Sequence, residues 1–87
     1  MVMENKKQTL LNALAKKINE LRGEKSQFLL ASENDISVSI ISTVERGLKD
    51  PQFTTLYKLA EALNLRPHEL VKLIENDLPK GFTLIDK

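Results

Sequence analysis

The densest set of chemically capable side chains in this 87-residue chain is a run of hydroxyls, Ser37, Ser39, Ser42 and Thr43, followed closely by Arg46. A hydroxyl becomes a nucleophile only when a base activates it, and the single histidine, His68, is not placed to serve any of them. His68 would also need Cys or further His partners to hold a metal; the chain has neither, so a surface or capping duty is expected for it. The carboxylate pairs Glu33 with Asp35 and Glu75 with Asp77 lie in polar segments, with no apolar pocket to shift them toward acid–base work. Three scattered glycines make no phosphate-cradling loop. No catalytic residue, metal or cofactor is therefore expected, and the chain is not expected to be an enzyme. What is left is a hydrogen-bonding surface.

The helical step of about 100° per residue sorts that surface. In a helix following Ser37, Ile41 and Val44 form a narrow apolar stripe that must face a core. Ser39, Ser42, Thr43 and Arg46 fall on the opposite side, Val38 at its margin and Ile40 between the two sets. A face this small fits closely into a groove. In a DNA major groove, Ser and Thr hydroxyls donate to or accept from base edges, and Val38 and Ile40 can meet thymine methyls. The helix has no early Arg or Gln for a bidentate contact to guanine or adenine, so a site rich in A·T pairs, read partly through DNA shape, is expected. A short helix with a Ser/Thr flank can equally be merely solvated. Its setting in the chain decides between the two.

That setting is helical throughout. Residues 1–8 are polar and expected to fray. Leu10, Leu11, Leu14, Ala15, Ile18 and Leu21 then recur at helical spacing, with Asn12, Lys16, Lys17 and Glu20 on the other side, predicting a helix over residues 9–22 that stops at Gly23. Ser26 can cap a second helix to about Glu33, and Asn34 and Asp35 tolerate the left-handed conformation of a tight turn. Ser37 caps the third helix, which ends near Gly47. After the loop containing Pro51, Thr54 or Thr55 starts a fourth helix with Leu56, Leu59, Ala60 and Leu63. Pro67 opens a fifth, with Glu69 near its start and Leu70, Leu73 and Ile74 as its apolar set. The tail FTLIDK alternates apolar and polar residues. The fold class is all-α, with a flexible N-terminus over residues 1–8, one domain over residues 9–76, and a C-terminal tail over residues 77–87.

Composition is consistent with this. A hydrophobic fraction of 41% supports one small core of Leu, Ile and Val. The absence of cysteine excludes disulfides and thiolate metal sites. No apolar run approaches the roughly 18 residues of a membrane span, and the polar start is not a signal peptide, so cytoplasmic residence is the expectation. The net charge is +1, but residues 1–25 carry six Lys or Arg against three Glu, while residues 61–87 carry four against five acids. A phosphate-binding surface needs only such a local excess.

On Ser26–Gln27, Leu30–Ala31, Ile36–Ser37, Ser39, Ile41–Ser42, Val44–Glu45–Arg46–Gly47, Pro51 and the run TLYKLAEALNLRPHEL, the chain resembles the phage-repressor-like helix-turn-helix family, the XRE or Cro/CI type. The resemblance covers about residues 14–74. It implies a compact five-helix, lambda-repressor-like domain whose second and third helices form the DNA-binding unit. By position, Gln27 would touch the phosphate backbone or help fix a base contact, and Val38, Ser39 and Thr43 would read bases. Lys49, the amides after Gly47, and Thr54 and Thr55 would meet phosphate. Glu45 would pair with Arg22. The chain departs from the family in a first loop about two residues shorter than usual, in Asn34 and Asp35 where Leu and Gly are common, and in apolar Phe28 and Leu29 where relatives are usually charged.

The expected function is a sequence-specific, double-stranded DNA-binding transcriptional regulator, most simply a repressor. The alternatives are an antitoxin that also binds DNA, or a protein-interaction module that has lost DNA binding. A palindromic operator, a homodimer and a regulatory protein partner are the candidate partners. Leu78, Phe82, Leu84 and Ile85 either complete the core or make a dimer contact, since a monomer this small contacts few bases.

Overall fold

The computed structural model describes residues 5–86. Five helices follow in order: α1 (Lys6–Arg22), α2 (Gln27–Asn34), α3 (Val38–Glu45), α4 (Phe53–Ala62) and α5 (Pro67–Asp77). No strand occurs among the described residues. The chain is all-α, as its periodicity predicts.

Side-chain caps set most of the helix starts. Ser26 Oγ accepts from the Leu29 amide at 3.0 Å at the head of α2. Ser37 Oγ accepts from the amides of Ser39 and Ile40 at 3.1 and 3.4 Å at the head of α3. Both satisfy N–H groups that a first helical turn leaves without partners. Asp35 ends α2 in the left-handed conformation, with φ 53° and ψ 45°, making the sharp turn between α2 and α3. Pro67 opens α5, and the Glu69 carboxylate accepts from the Arg66 amide at 2.7 Å.

Two boundaries differ from the sequence expectation. Helix α1 starts at Lys6 rather than Thr9, because Asn5 Oδ1 accepts from the Gln8 amide at 3.1 Å and caps it. Apolar spacing could not find this start, since Lys6, Lys7 and Gln8 carry no apolar side chain. The segment expected to fray is thus helical from Lys6, and its first four residues lie outside the described ones. Helix α4 starts at Phe53, ahead of Thr54 and Thr55, with Gln52 at its cap position making no side-chain cap bond.

Every helix contributes to one core. Ile18, Leu30, Ile41, Val44, Leu59 and Leu70 are its largest fully buried side chains. It is aliphatic: Phe28, Phe53 and Tyr57 are exposed, and Phe82 is half-buried. Helix α1 packs on α3 and α5, α2 on α3 and α4, and α4 on α5. Two α1 residues reverse their expected sides. Leu21 reaches the surface at 37% exposure, while the Lys17 side chain is only 14% exposed and bridges Asp77 at 2.8 Å and Glu20 at 3.0 Å. That pairing ties α1 to the end of α5. In the tail, Leu78 packs against the core, Leu84 and Ile85 stay exposed, and Asp86 pairs with Lys6. No helix among the described residues is long and apolar enough to cross a membrane.

Candidate nucleic-acid interface

Helix α3 is anchored by Ile41 and Val44, both 0% exposed. The predicted stripe is therefore the packed side, seated against α1 and α2. On the opposite flank, Ser37, Val38, Ser39 and Arg46 are exposed, and Ser42 and Thr43 are half-buried. Ile40 is half-buried too and packs against the core, which leaves only part of it for a ligand.

The flank is knit together by its own hydrogen bonds. Ser37 Oγ and Ser39 Oγ lie 2.9 Å apart, so one hydroxyl donates to the other. Thr43 Oγ1 donates to the Ser39 carbonyl at 2.8 Å, with the Ile40 carbonyl at 3.1 Å. Its proton is thus engaged within the helix, and the oxygen is left as an acceptor. Arg46 Nε donates to the Ser42 carbonyl at 3.4 Å, and its guanidinium makes no ion pair among the described residues. The face therefore presents small, partly pre-oriented polar groups and one available cation.

The end of α3 is held by α1. Arg22 Nε and Nη2 donate to the two Glu45 oxygens at 2.7 and 2.8 Å, a bidentate pair, and Asn19 Nδ2 adds a bond at 3.0 Å. Arg22 Nη1 also donates to the Lys25 carbonyl at 2.7 Å, so the short α1–α2 loop keeps the pair within reach. The pairing implied by the family resemblance is present. Burial pushes the Glu45 carboxyl upward, but hydrogen bonds from Arg22, Asn19 and Gln27 outweigh it and hold the carboxyl below its ordinary range. Those bonds with Glu45 hold Arg22 above its ordinary value. Gln27 is half-buried at the first turn of α2.

A second grip lies one step further along. Gln8 Nε2 donates to the Gly47 carbonyl at 2.9 Å and to Asn12 Oδ1 at 2.8 Å. Gly47 is buried, its φ is +71°, and a Cβ there would sit 2.7 Å from Asn12 Oδ1. Only glycine meets both demands without strain. Sequence reasoning missed these residues, assigning Gln8 to a frayed end and Asn12 to a solvated face. The spacing Gln8, Asn12, Asn19, Arg22 places all four on one side of α1, which was the available signal.

Beyond Gly47, Lys49 is exposed and unpaired among the described residues, while its neighbour Asp50 lies 3.7 Å from Lys7. Thr54 is exposed and Thr55 half-buried in the first turn of α4. No three His, Cys, Asp or Glu residues cluster as a metal site among the described residues.

The profile of a family described as helix-turn-helix matches residues 18–70, from the last turns of α1 into α5. Neither a curated protein nor a solved structure matches the chain.

Proposed function

Because this chain belongs to the XRE (Cro/CI-type) helix-turn-helix family of DNA-binding regulators, we propose that it is a sequence-specific repressor that reads the major groove of double-stranded DNA with α3. One observation carries this reading. Helix α3 is locked by Ile41 and Val44 on one side and by Arg22 at its end, while its hydroxyl flank faces away from the core. Val38, Ser39 and Thr43 take the base-reading positions, with Ser42 and Arg46 beside them and Ser37 fixing the first turn. Ile40 contributes what its packing leaves free. Thr43, with its proton engaged, acts toward bases as an acceptor and a methyl. Gln27, at the first turn of α2, approaches the backbone. Lys49 and the first turn of α4, with Thr54 and Thr55, meet phosphate.

The domain is read as one half of a homodimer on a palindromic site, with recognition helices about 34 Å apart. An apolar groove of about 200 Å³ between α1, α4 and α5, lined by Leu10, Leu11, Leu56 and Val71, supplies apolar surface for that contact, as do the exposed Leu84 and Ile85. Phe28 and Leu29, 69% and 48% exposed on α2, favour a second reading in which a protein partner docks there, as in an antitoxin or an interaction module.

Selection of bound fragments from random duplexes, followed by footprinting, tests the proposal and returns half-site and spacing together. Affinity should fall with salt by about 0.9 log units per log unit for each phosphate neutralised. Ser39→Ala or Thr43→Ala should change base preference, whereas Lys49→Ala should weaken all duplexes alike. A chain that captures no duplex at low salt is not a DNA-binding protein.

A further inference from the structure

We propose that Gln8, a residue of the first turn of α1, is a positioning residue for phosphate contact; this rests on the DNA-binding reading of α3. The carboxamide of Gln8 spends two bonds in one place, at 2.9 Å to the Gly47 carbonyl and 2.8 Å to Asn12 Oδ1. Gly47 is the point at which the chain leaves α3, in a left-handed conformation and with no room for a Cβ against Asn12. The loop that follows carries Lys49 and is gripped again at its far side, where Asp50 lies 3.7 Å from Lys7 of the same α1 turn. That outer pair is largely exposed and contributes little. The Gln8 bond to the Gly47 carbonyl is part-buried at the loop's root, on a buried glycine, while its bond to Asn12 is exposed.

A helix end leaves carbonyls without intrahelical partners. Water can satisfy them but does not fix a direction; a side chain from a second helix does. Gln8 therefore sets the height and tilt at which Lys49 leaves the surface. Gln8 touches no ligand itself. Its effect passes through the loop, so it bears on general affinity and not on base choice.

The test uses the full chain with two labelled probes, a mixed-sequence duplex and one recovered by selection. Gln8→Ala should lower affinity for both by the same factor, about threefold to tenfold, the worth of one or two lost hydrogen bonds. The ratio between the probes should not change. Lys49→Ala should do likewise, and the double variant should lose no more than Lys49→Ala alone. Losses that multiply in the double variant, or a changed ratio, overturn the proposal. Amide exchange without DNA is the independent readout: the Leu48 amide, which donates to the Thr43 carbonyl at 3.0 Å, should exchange faster in Gln8→Ala while the core amides of α3 do not. Asn12→Ala, which keeps the donor to Gly47, should show a smaller change in the same amide. Unchanged exchange in Gln8→Ala overturns the positioning role. A wild-type chain without affinity for either probe instead removes the DNA-binding reading, which the exchange measurement does not depend on.

Discussion

Replacing Arg22 with methionine removes the cation from the one ion pair among the described residues that is withdrawn from water on both sides. The Glu45 side chain is 4% exposed and that of Arg22 14%. The substitution keeps most of the apolar stem but leaves Glu45 with the hydrogen bond from Asn19. Stranding one partner of a buried pair costs about 3–5 kcal/mol. The surviving hydrogen bond from Asn19 offsets part of that and leaves roughly 2–4 kcal/mol. For a domain of this size, at about 4–8 °C per kcal/mol, Tm should fall by roughly 8–32 °C. Urea and thermal denaturation followed by circular dichroism measure it without any ligand. Replacing Glu45 with methionine as well should recover much of the loss, because no charge is then left buried. The pair also predicts an acid dependence. The Glu45 carboxyl is held below its ordinary value of 4.5, so its stabilisation is present above that value and lost as pH falls through the lower folded one. As pH falls below about 4.5, wild type should lose more stability than Glu45→Gln. A loss for Arg22→Met below about 1 kcal/mol, the scale of an exposed pair, would refute the claim that this pair fixes the end of α3.

Three further outcomes follow from particular residues. Asp35→Gly should raise stability by up to about 1 kcal/mol, because Asp35 holds φ 53° where glycine has no Cβ penalty; denaturant midpoints check it. Ser37→Ala should destabilise by about 1 kcal/mol by uncapping α3, and it should also weaken selected duplexes as the first turn frays; calorimetry and duplex titration separate the two effects. Leu84→Asp with Ile85→Asp should leave Tm within a few degrees, since both side chains are exposed, yet shift a dimer toward monomer in sedimentation. An unchanged assembly would place the twofold contact elsewhere.

The fold was legible in the sequence wherever a local signal was strong. The caps Ser26 and Ser37, the left-handed Asp35, Gly47 after α3 and Pro67 at α5 act within one turn of the chain, so short-range chemistry announces them. The stripe of Ile41 and Val44 was legible for the same reason, and with it the face that α3 presents. The start of α1 was not, because a polar first turn capped by Asn5 has no apolar period to reveal it. Lys17 and Leu21 also changed sides, since which flank of a helix is covered depends on where its neighbours lie.

The sequence by itself determined five helices, their breaks, and one short helix with a small hydroxyl flank, because helical period and capping need no knowledge of distant residues. Only the tertiary structure decided that the polar side of α1 is a clamp. Gln8 reaches Gly47 across 39 residues, a contact no sequence signal announced, and Arg22 meets Glu45 across 23, in the pairing the family resemblance implied. Hydrogen bonds of that range exist only once the aliphatic core has brought α1 against α3.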